Sequence, residues 1–436
     1  MPDMSSPSPA DAPIPSAVPH PALVVRTIAV PAARVADLLS LLPEPDDAGD
    51  VVSWVRKGEG FVGWGRVATF RASGPDRFDR AQEWWRQVTA EAIVRDDVDE
   101  PGTGPIAFGS MAYSRRSQTE SVLVVPEVVV GRRGSLAWVT TITTDATVPA
   151  ADQPLERQPE PRTPGTVDFA DLDLTADRWA CAVDEAVARI TAGELDKVVL
   201  ARSVRATAQQ RIDPRWVLAR LAEDYDTTWV FAVDGLVGAT PEMLVRLERG
   251  LVTSRVLAGT IRRTGDDSHD LALAGSLARS SKDLEEHEYA VRSVADALTA
   301  HTSSINVPDS PFVLHLNNVM HLATDVAGVV DDDSTSLALA ASLHPSAAVC
   351  GTPTLVADGV IAELEQMDRG RYAGPVGWMD ASGDGEWGIA LRCGAYESAS
   401  SLRLYAGCGI VAGSVAADEV AESVAKLLPM RTALGG

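Results

Sequence analysis

From about residue 167 to its end, the chain alternates strand-like runs with helix-period segments, but it never settles into a strict strand–helix–strand repeat. A parallel sheet needs a long crossover between successive strands. The observed order points instead to an α+β fold: large, mostly antiparallel sheets packed together, with helices on the outside. Thr175 can cap a helix in which Trp179, Val183, Val187 and Ile190 recur at helical spacing, and Gly193 stops it. KVVLARSVRA, WVFAVDGLVGA, EMLVRLERG, EWGIALRCGAYE and SLRLYAGCGIVAG each read as a strand. Long helices are expected over roughly 282–301 and 416–428. Upstream, LVVRTIAV, FVGWGRVATF, IAFGSMAY and SVLVVPEVVVG are strand-like and surround one helical segment, RFDRAQEWWRQVTAEAIV. The expected division is a Pro/Ser-rich disordered leader over 1–22, a variable N-terminal part of the same globular unit over 23–166, and a C-terminal domain over 167–434. The N-terminal part closes on a Pro-rich linker or surface loop.

Charge narrows the function. Sixty-one acidic residues against 38 basic ones leave a formal net charge of −23. Nucleic acid and anionic membrane surfaces call for a basic face, so neither is an expected partner. No apolar run is long enough to span a bilayer, and the N-terminus lacks the pattern of a secretory signal. A cytoplasmic monomer is the expectation. An anionic ligand would have to be captured by local Arg or Lys, or by a bound cation. Cys181, Cys350, Cys393 and Cys408 have no metal-ligand spacing and read as reduced, buried thiols.

Several short constellations could carry chemistry. In SKDLEEHEYAVRSVADAL, Asp283 and Glu286 are three apart on one helix face. Near the C-terminus, Glu419, Glu422 and Lys426 share a ridge beside a buried stripe of Val420, Val424, Leu427 and Leu428. Two helices that each present a carboxylate pair could clamp a hard divalent cation, although the same spacing also describes a solvated acidic face with a Glu422–Lys426 surface pair. Lys197 opens an apolar strand on the face of Val199 and Ala201; it is either a snorkelling edge lysine or a partly buried base. Glu242 follows a Gly-Ala-Thr-Pro turn and is either solvated or, if buried, a general acid. Glycines in VLAGT, RYAGPVGW and YAGCGIVAG either build turns and bulges or let backbone approach a ligand. Arg392 reads as a mid-strand arginine among apolar residues, and such a group needs an anionic partner from the protein or from a ligand.

The order of these segments is more specific than any one of them. DKVVLAR, GATPEML, LAGT, SKDLEEHE, LHPSAAVCGTP, RGRYAGPVGW, GDGEWGIALRC and YAGCGIVAGSVAADEVAES resemble the successive motifs of the chorismate-utilising enzymes over about residues 170–430. Lys197, where ammonia-using members typically have Gln, and the HPSAA and GEWGIALRC forms resemble the isochorismate branch. The resemblance implies that 167–434 is the chorismate-binding catalytic domain of a Mg²⁺-dependent hydroxymutase of menaquinone or siderophore synthesis. Such an enzyme adds water at C2 of chorismate and expels the C4 hydroxyl. A salicylate synthase, which goes on to eliminate pyruvate, is the alternative. Carried over by position, Lys197 is the base, Glu242 the acid, Glu286 and Glu422 direct Mg²⁺ ligands, and Asp283 and Glu419 holders of metal-bound water. Arg392, Tyr405, Gly407 and Lys426, with Gly259, Thr260, His344 and Tyr372, match substrate-binding positions. Tyr372 and Tyr405 depart from the Phe common in isochorismate synthases.

Overall fold

The structure, a computed structural model, describes residues 22–145, 155–315 and 319–435, apart from the side chains of Thr260, Lys282, Glu285 and Glu286. The expected leader, part of the linker, and the side chains of Thr260 and Glu286 therefore lie outside the described residues. Among the described residues, thirteen strands form one sheet and ten a second. Neighbouring strands run antiparallel, except that Val24–Ala29 lies parallel to Ile93–Asp96. Both halves of the chain contribute to both sheets: Val51–Arg56 pairs with Trp229–Val233, and Ile106–Ser110 with Pro375–Asp380. No helix among the described residues is long and apolar enough to cross a membrane.

Strands in the middle of the sheets are covered on both faces, so they read as continuous apolar runs rather than alternating ones. That blurs their ends. WVFAVDGLVGA, expected as one strand, is a hairpin of Trp229–Val233 and Leu236–Thr240. It turns at Asp234 and Gly235, whose φ values of 48° and 75° suit a tight two-residue hairpin. FVGWGRVATF and SVLVVPEVVVG likewise each split into two strands. The main core fills the space between the sheets with large rings. Phe61 lies 6.3 Å from Phe108, 5.8 Å from Trp138 and 4.8 Å from Trp378, centroid to centroid.

The feature that places the site is where the chain changes sheet. It leaves the first sheet at Thr240 and enters the second at Met243; later it leaves the second at Ile389 and re-enters the first at Cys393. The crossings are neighbours, because Gly238 faces Cys393 in one sheet and Met243 faces Gly388 in the other. Thr240 Oγ1 donates to the Ile389 carbonyl at 2.6 Å, and the Ile389 amide donates to the Glu242 carbonyl at 3.1 Å. Glu242 and Arg392 therefore stand at the seam between the sheets. Arg392 is not mid-strand as expected: it sits at φ 48° in the second crossing, with its carbonyl accepting from the Ala239 amide.

Two helices flank the seam. Ser281–Thr299 lies on the second sheet through Ala290, Val291, Val294 and Leu298, and Ala416–Ala433 lies on the first. The inward stripe of the latter is Ser423, Leu427 and Met430, whereas Val424 and Leu428 are 46% and 49% exposed. Of the expected stripe, Leu427 is buried and Val420 packs partly buried, but Ser423 takes the inward place expected for Val424. Cys350, Cys393 and Cys408 are buried free thiols, but Cys181 is exposed, contrary to the expectation for it.

Candidate active site

Lys197 opens the strand Lys197–Ala208, which pairs with Ser401–Ile410 so that Val199 faces Gly409 and Ala201 faces Gly407. Two of the YAGCG glycines leave room beside this strand. A Cβ at Gly409 would stand 3.0 Å from Lys197 Cε, and one at Gly407 would stand 3.0 Å from Tyr372 Oη. A cavity of about 260 Å³ opens here, lined by Lys197, Glu242, Gly259, Asp283, Tyr372, Arg392, Tyr405, Gly407, Glu419, Glu422 and Lys426 among others. The fold thus gathers these residues from distant parts of the sequence into one pocket.

The polar groups fall into distinct roles. Glu242 is buried at the seam, and burial pushes its carboxyl up to about 7 against the opposing pull of Lys197, Arg392 and Lys426. A carboxyl poised near neutrality can both hold and release a proton. Burial also lowers the pKa of the Arg392 guanidinium, and among the described residues no carboxylate lies within ion-pairing distance of it. A desolvated cation with no ion pair among the described residues suits an anionic ligand. Glu419 and Glu422 project into the pocket from the C-terminal helix, and Asp283 lines it from the other flanking helix. Burial, and then the neighbouring Glu422, raise the Glu419 carboxyl. Burial also works upward on Glu422, but Lys426, Arg392 and His321 outweigh it and hold that carboxyl below its usual value. Glu422, Glu419 and Cys408 bring possible ligand atoms within 4.8 Å of one another. Burial pushes the Cys408 thiol up to about 12, so it stays protonated and leaves the oxygens as donors. Repelling carboxylate oxygens of this kind fit a hard divalent cation such as Mg²⁺.

The remaining positions divide. Lys426 Nζ contacts Glu422 Oε1 at 2.6 Å and donates to the Gly407 carbonyl at 2.8 Å, so the expected surface pair exists but forms part of the pocket wall. Tyr372 and Tyr405 stack, with ring centroids 4.9 Å apart and planes 6° from parallel. Gly259 has φ 74° at a bulge in its strand, and a Cβ there would stand 3.1 Å from Asp283 Cβ. His344 does not join the pocket. Its Nε2–H donates to the Tyr113 carbonyl at 2.8 Å, and the ring lines a neighbouring cavity. Burial lowers its pKa to about 4, so it is neutral and already committed to backbone. Among the wall residues that sequence reasoning missed are His321 and Arg369. Burial, with Arg392 and Lys426, holds the His321 imidazole down to about 3. His321 lies in a long apolar strand and faces Thr260 across the sheet, just past the Gly259 bulge, a pairing no local pattern announces.

A two-sheet α+β body thus brings cations, a near-neutral carboxyl and paired acids together in one seam. The sequence model of the chorismate binding enzyme family matches residues 16–435, and the chain belongs to that family. The isochorismate synthase MenF of Bacillus subtilis is 32% identical over 402 residues, 86% of this chain and 85% of that protein. The isochorismate synthase DhbC of the same organism is 41% identical over 265 residues, which span 58% of this chain and 66% of DhbC. The solved structure of Escherichia coli MenF, a menaquinone-specific isochorismate synthase, superposes with a TM-score of 0.79 at 26% identity. That match covers 95% of both chains.

Proposed function

We propose that this chain is an isochorismate synthase that binds chorismate in the seam pocket and acts with Mg²⁺. The observation that carries the reading is the meeting of Lys197, which opens its strand, and Glu242, from the crossing between the sheets, in one cavity that also holds Arg392 and the paired acids. Names of relatives at 32–41% identity support the same reaction. Arg392 binds a substrate carboxylate and fixes the ring. Lys197 takes a proton from the water that attacks C2. Glu242, protonated near neutral pH, gives a proton to the C4 hydroxyl as it leaves. One proton is taken and one given, so the reaction balances as an isomerisation. Glu419 and Glu422, with Glu286 and Asp283, would hold Mg²⁺, which when bound offsets the charge of a ring carboxylate amid these acids.

The test is incubation of the protein with chorismate and Mg²⁺, followed by chromatography of the products. Isochorismate alone supports the proposal. Salicylate with pyruvate would favour a salicylate synthase, the reading to which the Tyr372 hydroxyl beside Gly407 lends some support.

A further inference from the structure

Arg369 in the pocket wall and its partner Glu365 behind it have no part in the proton transfers above. Glu365 and Arg369, four residues apart, are 1% and 3% exposed. Each guanidinium nitrogen of Arg369 donates within the protein: Nε to Glu365 Oε2 at 2.9 Å, Nη1 to the Val349 carbonyl at 2.8 Å, and Nη2 to the Val199 carbonyl at 2.7 Å. Nη2 also pairs with Glu365 Oε1. Glu365 in turn accepts the Ala201 amide at 2.7 Å. These backbone groups belong to the strand that carries Lys197. Its outer edge pairs with Gly351–Thr352 only at Lys197 and Val198, and with Val167–Asp171 only from Val204 onward. In the gap, the Val199 amide donates to the Cys350 carbonyl and the Ala201 carbonyl accepts from Trp179 Nε1. Arg369 and Glu365 satisfy the remaining outward groups of Val199 and Ala201, so side chains stand in for a missing strand. Buried backbone groups need such partners. The Tyr372 amide donates to the Arg369 carbonyl at 3.1 Å, which ties the same residue to the turn bearing Tyr372.

We infer that Glu365 and Arg369 are positioning residues, which hold the strand behind Lys197 so that its amine keeps its reach into the pocket. The inference rests on the reading of Lys197 as the base. A misplacement of about 1 Å can cost about 10²-fold in rate. Arg369→Lys keeps the charge, but one ammonium cannot span Val199, Val349 and Glu365 together. It should lower kcat about 10–100-fold while KM for chorismate changes less than about threefold, because Arg392 is untouched. Amide hydrogen exchange over residues 199–203 should accelerate, while the remainder of the first sheet stays protected. The double variant Glu365→Leu/Arg369→Met removes both charges together. It leaves the Ala201 amide and the Val199 and Val349 carbonyls without these partners, so it should restore neither the melting temperature that Arg369→Lys loses nor the rate. A stable double variant with wild-type kcat would overturn the inference, since the pair would then only fill the core. So would a rise in KM that accounts for the whole loss of kcat/KM, which would make Arg369 a substrate contact. If Arg369→Lys fails to fold, Glu365→Gln, which keeps an oxygen for the Ala201 amide, decides: it should lower kcat with KM held, and a wild-type kcat would overturn the inference. A wild-type protein that makes no isochorismate would sink the functional reading, and the exchange comparison would still show whether the pair holds this strand.

Discussion

Arg392→Ala separates the grip on substrate from the grip on the fold. Among the described residues the guanidinium has no carboxylate to leave behind, so the large penalty for orphaning one member of a buried ion pair does not arise. Its φ of 48° strains arginine and alanine alike, and that cost cancels in the comparison. What the substitution removes is a charge-assisted contact to a substrate carboxylate, worth about 1.5–3 kcal/mol. At 25 °C this is about 10–150-fold in kcat/KM, carried mostly by KM because the contact exists before and during the reaction. Initial rates against chorismate concentration at saturating Mg²⁺, with a thermal melt of each protein, make the measurement. The melt should stay within about 4 °C of wild type. An unchanged KM would refute the reasoning, and so would an insoluble or unfolded variant, which would make Arg392 a structural partner.

Glu242 makes the wild-type kcat/KM fall as pH rises through about 7, because the acid form is lost; Glu242→Gln should cost at least about 10²-fold. The same raised carboxyl makes the fold lose stability as pH climbs from about 4.3, where the unfolded chain ionises, through the folded value of about 7. A pH series of melts and rates reads both effects, and a flat profile across neutrality would contradict them. EDTA should abolish turnover, and Glu422→Gln or Glu286→Gln should each reduce it at least about 10²-fold with the fold intact; near-wild-type rates would return the acidic pair to an ordinary charged face. Gly259→Ala, forced at φ 74° and pressed 3.1 Å from Asp283 Cβ, should raise the Mg²⁺ concentration needed for half-maximal rate. It should also cost about 1–2 kcal/mol of stability, and an unchanged Mg²⁺ titration would contradict the crowding argument.

Much of the site could be read from residues, but for uneven reasons. The absence of a regular strand–helix repeat was enough for antiparallel sheets, and period-two alternation placed Lys197 with Val199 on the pocket face. Arg392 escaped local reading because everything between Glu386 and Arg392 is apolar or Gly, so nothing there shows where the chain changes sheet. On the C-terminal helix Leu427 was placed rightly, but Val424 was read as buried because Ser423, which holds that place on the buried row, is polar. Glu365 and Arg369 have the i,i+4 spacing of countless surface pairs; only the gap in strand pairing beside Lys197 shows that they are buried for a purpose. His344 was expected against the ligand, yet it lines a neighbouring cavity with Nε2 hydrogen-bonded to the Tyr113 carbonyl.

The central claim is that water, activated at Lys197, becomes the new C2 hydroxyl as the C4 hydroxyl departs toward Glu242. Turnover of chorismate with Mg²⁺ in ¹⁸O-enriched water, followed at low conversion by mass spectrometry, tests it most directly. One ¹⁸O should enter each molecule of isochorismate, at C2, and Lys197→Ala should slow that incorporation at least about 10²-fold while folding and Mg²⁺ binding persist. Isochorismate formed without label, or labelled at the wild-type rate by Lys197→Ala, would contradict the account.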